Sequence, residues 1–302
     1  MIAILVLPAV AALAVGLPTA SRHRRLHPRL SARALAVAAA ALGLAVIGAV
    51  GTVAVGFLAG IPWIQNNFAW CRSLARTHAR VPQPVGLLAL AILAVMSVAG
   101  VAAWRRARRE LHGGAGDAGS DLEVLEEDRP DAYAMGGGGG RIVVTSGMLR
   151  LLDPAEQTVL FAHERAHLRH RHHRYATLAI VASAAVPPLG FVTRRLRLAL
   201  ERWADEEAAI EVGDRRLVAR AIIRAALGRT DYTSPAAGGT ASGLSTLGVA
   251  GRVEALLLPA PESLGRPLSA LAVVAVGTVV AIAGSALQVH HLVELGLHVC
   301  AL

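Results

Sequence analysis

The sequence predicts a mainly α protein: a four-span helical membrane protein with an α+β domain set between spans three and four. Three observations carry this. The 302 residues are 54% apolar and only 17% charged, with a mean hydropathy of +0.51. Soluble globular chains run at about 45–50% apolar and about 25% charged. That balance excludes an ordinary soluble enzyme, and it excludes disorder over the whole length, which needs low hydrophobicity. Four apolar stretches are each long enough to cross a bilayer, whose hydrocarbon core takes about 20 residues of helix. Between the third and fourth, the composition becomes that of a folded polar domain.

The first stretch runs from Ile2 to Ala20. Its arginines follow it and no basic segment precedes it, so it reads as an anchor with an outer N-terminus, not a signal peptide. The second runs from Ala34 to Ile61, the third from Val85 to Trp104 and the fourth from Leu268 to Leu287. Every cation in the chain is arginine. Arg22, Arg24, Arg25, Arg29 and Arg33 lie between the first two stretches, and Arg105, Arg106, Arg108 and Arg109 follow the third. The positive-inside rule puts both sets in the cytoplasm. The loop with Arg72, Arg76 and Arg80 makes the contrast modest. One alternating topology fits: N-terminus outside, residues 105–266 inside, tail outside. Trp63, Trp70 and Trp104 then fall at membrane interfaces. Arginines beside apolar runs speak for the bilayer and against direct nucleic-acid binding. Cys71 and Cys300 share the outer side, either paired or free, and two cysteines cannot build a disulfide scaffold.

Residues 1–111 thus form a three-span membrane domain, 112–120 a Gly-rich linker, 121–265 the polar domain, and 266–302 the last span and a short tail. An acidic patch, Asp121 to Asp131, opens the polar domain. Arg141-Ile-Val-Val-Thr145 follows five glycines and reads as a short strand. Residues 228–250, rich in Gly, Ser, Thr and Ala, read as a loop. The apolar segment 176–192 contains Pro187-Pro188 and reads as a hydrophobic helix or hairpin at the membrane surface. A true span there would invert everything after it.

Asp153-Pro154-Ala155-Glu156 starts a helix with a capping box and proline at the first helical position. The helix should continue to about Arg174. It carries His163-Glu164-Arg165-Ala166-His167, the pattern H-E-x-x-H. Residues four apart lie on one helix face, so both imidazoles can bind one zinc ion. The carboxylate of Glu164 then sits beside the metal as general base. His170, His172 and His173 follow at once, and a basic His-rich surface helix is the competing reading. A catalytic zinc needs a third ligand and an open position. Glu201 and Asp205, four apart in Glu-Arg-Trp-Ala-Asp, are candidates for a ligand and for a carboxylate that orients a ligating histidine from behind. Taken alone, with Glu206, Glu207 and Glu211 close by, Glu201 reads rather as a solvated helix carboxylate.

The Val-Val-Thr-Ser-Gly strand, the capped H-E-x-x-H helix and the downstream E-x-x-A-D together resemble the gluzincin membrane metallopeptidases. The chain looks like the M56 family of BlaR1/MecR1-type antibiotic sensor-transducers and the related M48 family of HtpX-type and CAAX prenyl proteases. The resemblance covers about residues 121–260. It implies a gluzincin-type fold and one zinc ion per chain on His163, His167 and Glu201, with Glu164 as catalytic base and Asp205 supporting a ligand. It implies a multi-pass protein of the cell membrane whose protease domain is cytoplasmic. Its partners would be the lipid bilayer and protein substrates, among them a BlaI-type transcriptional repressor. The order of spans and the 34-residue gap between His167 and Glu201 fit M56 better than M48. The chain departs from the M56 sensors in two ways: they carry a large penicillin-binding domain after the last span, where only about 15 residues follow Leu287 here, and they often have cysteine where this chain has Ala204.

Two other functions compete: an M48-like quality-control protease and a catalytically silent signal transducer. All ligands and Glu164 are present, which argues against silence. Transport would need ionisable groups inside the spans, and these carry essentially none. Substrates of zinc endopeptidases commonly add as a strand to a sheet edge. Here that edge is Tyr133-Ala134-Met135 or Ile142-Val143-Val144, with Gly136–Gly140 as a flexible turn or a flap. Arg215, Arg216, His173 and Tyr232 are candidates for the oxyanion donor.

Overall fold

The computed structural model describes residues 27–67, 81–112, 121–136, 140–232 and 248–260. The first and fourth apolar stretches, Cys71, Cys300, Trp70 and most of the linker lie outside the described residues. The described elements are, in order, α1 (Pro28–Ala59), α2 (Pro62–Asn67), α3 (Gln83–His112), β1 (Leu122–Leu125), β2 (Ala132–Met135), β3 (Arg141–Thr145), α4 (Ser146–Leu151), α5 (Pro154–Arg169) and α6 (His172–Ala185). A 3₁₀ turn (Pro187–Leu189) follows, then α7 (Gly190–Val212), α8 (Arg215–Tyr232) and α9 (Val249–Leu257).

Two helices, α1 and α3, are long and apolar enough to cross a membrane. At 1.5 Å per residue, the 32 residues of α1 reach about 48 Å, well beyond a hydrocarbon core of about 30 Å. The excess is spent inside the protein. Ala32, Leu35, Ala36, Ala39 and Leu42 recur at helical spacing and are buried against α6 and α7 with Leu189, Val192, Leu196 and Trp203. Alanine at three of these five positions lets the backbones approach closely. Arg29 and Arg33, expected in a basic loop, instead sit in the first turns of α1. Each guanidinium lies 5.7 Å from the Trp203 ring centroid. Pro28 at the first helical position and His27 as its cap start the helix before the apolar run begins.

Helix α3 packs on α1 and α6 and leaves Val95 and Val98 67% and 70% exposed, an apolar exposed face. Gly100 meets Ala185 and Val181 of α6, so the segment 176–192 packs against both long helices.

The sheet has order β1-β3-β2, with β1 parallel and β2 antiparallel to β3. Among the described residues β3 is therefore central and β2 is an edge, which favours Tyr133-Ala134-Met135 of the two edge candidates. β1 falls within what the sequence shows only as an acidic patch. Its four residues, Leu-Glu-Val-Leu, alternate exposed and half-buried, too short a pattern to stand out. Thr145 ends β3 and caps α4 through Met148 N–H, while its hydroxyl donates to Arg129 O at 2.8 Å. Gly147 is required: a Cβ there would come 2.0 Å from the carbonyl oxygen of Asp128.

The polar domain closes on two further apolar clusters. Val159 and Ala162 of α5 pack with Ala208, Val218 and Leu256 of α7, α8 and α9. Ala132, Val144, Met148 and Leu152 join sheet and helices below α5. The 228–250 region is not all loop. Helix α8 runs on to Tyr232, and α9 begins at Val249.

Candidate active site

Helix α5 is fixed at its start by the expected capping box. Glu156 N–H donates to Asp153 Oδ1 at 2.9 Å, and Asp153 N–H donates back to Glu156 Oε2 at 3.1 Å. Glu156 is fully buried and paired with Arg220 and Arg224 of α8, which ties α8 to this end of α5. The helix ends at Arg169, five residues short of the expected end. Arg171 adopts the left-handed conformation, φ 52°, and a new helix starts at His172. That break turns the histidine run back on itself. His172 becomes buried, and its Nδ1 lies 3.0 Å from Nδ1 of His167.

The structure brings together four of the sequence-predicted residues at measured contact distances. His163 Nε2 and His167 Nε2 are 3.1 Å apart. Glu201 oxygens lie 3.6 Å from His163 Nε2 and 3.7 Å from His167 Nε2. Asp205 Oδ1 lies 3.1 Å from Nδ1 of His163, on the far side of the ring. Glu164 faces the same cavity. Donor atoms of His163, His167 and Glu201 all lie within 4.8 Å of one another. Zinc bonds of about 2.0–2.2 Å in a tetrahedron separate ligand atoms by roughly 3.3–3.5 Å, so this donor set fits zinc in both chemistry and spacing.

Arg252, on α9, is the central residue that sequence reasoning missed. It donates to both Asp205 oxygens, at 2.7 and 2.6 Å, and its third nitrogen is 3.0 Å from Glu201 Oε2. It lies 47 positions after Asp205, on a different helix, and no local pattern marks it. His172 was visible in the sequence, but only as one of a basic run. Its position depends on the turn at Arg171.

The charges are mutually dependent. Burial pushes the carboxyls of Glu201 and Asp205 up, but Arg252 and the contacts with His163 outweigh it and hold both below the usual range. Burial pulls the His163 imidazolium down, yet its contacts with Asp205 and Glu201 hold it up at about 10. Burial and the neighbouring His167 and His170 push His172 down to about 2, so its ring is neutral. A neutral His172 can accept from Nδ1–H of His167, leaving Nε2 of His167 free to face the ligand cluster.

Of the candidate oxyanion donors whose side chains are described, only His173 lines the cavity. It packs on Gly136 at the end of β2, where a Cβ would come 2.2 Å from its Nδ1. Arg215 pairs with Glu206 and donates to the carbonyls of Ala255 and Leu256, so it anchors α9. Arg216 is exposed and does not line the cavity. The side chain of Tyr232 lies outside the described residues, as do residues 137–139 of the glycine run.

Comparison with known proteins points the same way. The sequence profile of peptidase family M48 matches residues 79–230. A protein named protease HtpX homolog from Thermoplasma acidophilum is 45% identical over 53 residues, 17% of each chain. Proteins of the same name from Aquifex aeolicus and Streptococcus gordonii are 36% identical over 81 residues and 29% identical over 75. Those matches cover 26% of each chain in the first case, and 24% of this chain and 25% of the relative in the second. The chain thus spans about a quarter or less of the length of these curated relatives. No solved structure matches it significantly.

Proposed function

The chain belongs to peptidase family M48, and from that premise we propose that it is an integral membrane zinc-dependent metalloendopeptidase. It hydrolyses peptide bonds of protein substrates at the cytoplasmic membrane face. The observation that carries this is the convergence of His163, His167 and Glu201 on one point, with Glu164 in the same cavity.

His163, His167 and Glu201 would hold the zinc, one per chain. When bound, zinc supplies a Lewis acid that polarises the scissile carbonyl and acidifies the attacking water. The rest falls to the chain's own side chains. The Glu164 carboxylate takes the proton from that water and delivers it to the leaving amine nitrogen. Asp205 holds the Nδ1 proton of His163, and His172 accepts that of His167, so both rings present Nε2. Arg252 keeps Asp205 and Glu201 ionised and in register. The free edge of β2 offers backbone groups to an extended substrate beside α5.

The membrane arrangement is proposed on similar grounds. Four spans cross the bilayer, with residues 1–111 as a three-span domain, 121–265 as the protease domain and 266–302 as the last span and tail. Helices α1 and α3 pack together; the first turns of α1 lie against Trp203, and the last turn of α3 directly precedes the protease domain in the sequence. Their arginines then share its side, and the positive-inside rule makes that side cytoplasmic. Substrates would be proteins at or near the bilayer. Cleavage of a BlaI-type repressor rests on the M56 resemblance alone.

The test is metal removal. Protein purified in neutral detergent should lose cleavage of an unfolded test protein on treatment with 1,10-phenanthroline and regain it with equimolar zinc. Cleavage that survives full zinc removal would overturn the proposal.

A further inference from the structure

The cavity holding the ligand cluster has a volume of about 750 Å³, and its walls are unequally charged. Arginine lines it at six positions: 129, 194, 195, 197, 229 and 252. Its carboxylates are Asp131, Glu164 and Glu201. Two of these are already matched. Asp131 lies 3.1 Å from Arg229, and Glu201 lies 3.0 Å from Arg252. No carboxylate among the described residues pairs with Arg129, Arg194, Arg195 or Arg197. Only Glu164 opposes these four cations, and a bound zinc would add to them.

The helix places two of the four on the working face. Arg194, Arg197, Glu201 and Asp205 follow one another at spacings of three and four along α7, so they form one stripe. Arg197 stands about 6 Å and Arg194 about 10 Å from Glu201 along the helix axis. An extended peptide advances about 3.3 Å per residue. A substrate lying along the cleft would therefore carry its second and third residues from the scissile bond past these guanidinium groups.

We propose that Arg194 and Arg197, with Arg129 and Arg195, select substrates carrying acidic side chains two to three residues from the cleaved bond on one side, and reject basic ones there. This deepens the protease reading and rests on it. A guanidinium binds a carboxylate through paired N–H donors, and the partly enclosed cleft screens the pair less than open water does. The arginines face the cavity that also holds Glu164, which favours a peptide over lipid headgroups as their partner.

The experiment uses the full-length zinc-loaded protein in neutral detergent with internally quenched peptides of one frame. Alanine, glutamate or arginine is placed at the second and third positions on either side of the cleaved bond. On one side, glutamate should raise kcat/KM by about fivefold per residue relative to alanine, and arginine should lower it similarly. Raising the salt from 50 to 500 mM should shrink the gap. The double variant R194E/R197E should invert the preference, while R216E, whose arginine lies outside the cavity, should keep it. Equal cleavage of glutamate and arginine peptides by the wild type would overturn the proposal and leave the protease reading standing. Failure to cut any peptide, with zinc bound, would remove the protease reading and this one with it. If charge makes no difference but R194E/R197E loses binding to vesicles of anionic phospholipid, the arginines serve the membrane and the proposal is wrong.

Discussion

Arg252 sets three nitrogens against two carboxylates, one of them the buried Asp205. Removing it leaves Asp205 without its cation and frees Glu201 to turn away. We expect R252A to weaken zinc affinity by about 10- to 100-fold, the usual cost of losing a partner behind a ligand. R252K should recover only part of this, because an ammonium cannot make the paired contact. Competition with a chelating indicator reads both; unchanged affinity in R252A would count against the assignment. H172F should lower affinity in the same direction, since phenylalanine fills the space beside Trp203 but accepts nothing from His167. His163 and His167 were legible in the sequence because helical spacing puts them on one face with Glu164 beside them, whereas Glu201, on another helix, was pointed to only by the family resemblance. Arg252 was not legible, because its place depends on how α9 packs against α7.

Capping chemistry fixes the start of α5, the helix that carries His163, Glu164 and His167. Glu156 serves twice, closing the capping box of α5 and receiving Arg220 and Arg224 from α8. Burial pushes its carboxyl up, but those arginines and the Asp153 N–H outweigh burial and hold it below its ordinary value. A depressed folded-state pKa stabilises the fold at pH above the unfolded value of about 4.3, and that contribution fades as pH falls through the folded value. E156Q should therefore lower the Tm at pH 7 and leave a smaller Tm loss between pH 5 and pH 3 than the wild type shows. Circular dichroism in detergent checks both. An unchanged acid slope would show that other carboxylates govern it. The start of α5 was readable from Asp153-Pro154-Ala155-Glu156. Its end was not, because the apolar and basic pattern continues smoothly past Arg169. The left-handed turn at Arg171 is set by tertiary packing of His172 against His167 and Trp203.

Across the whole molecule, the long helix α1 is apolar enough to cross a bilayer and also packs against the domain that holds His163, His167 and Glu201. Its later half carries exposed apolar side chains such as Leu44 and Val55, while its earlier half fills the groove between α6 and α7. Hydropathy could show that the segment is long and apolar enough to span a membrane. It could not show that the helix begins six residues before the apolar run and docks on Trp203, because arginines at a helix start look the same as arginines in a loop. The proposed topology makes a directional prediction. With Cys71 and Cys300 changed to serine, a cysteine introduced at Arg109 should react with a membrane-impermeant maleimide only in inverted vesicles. One introduced at Trp63 should react only in intact cells. The reverse pattern would turn the protease domain outward.

The central claim is that His163, His167 and Glu201 hold a zinc ion beside which Glu164 acts as base. Its most direct test is zinc stoichiometry and proteolysis measured together on wild type and E164Q in detergent. Glu164 is not a ligand, so both proteins should carry about one zinc per chain. E164Q should lose cleavage by several orders of magnitude, self-cleavage included. A wild type that holds no zinc, or an E164Q that keeps its zinc and still cuts at the wild-type rate, would contradict the account.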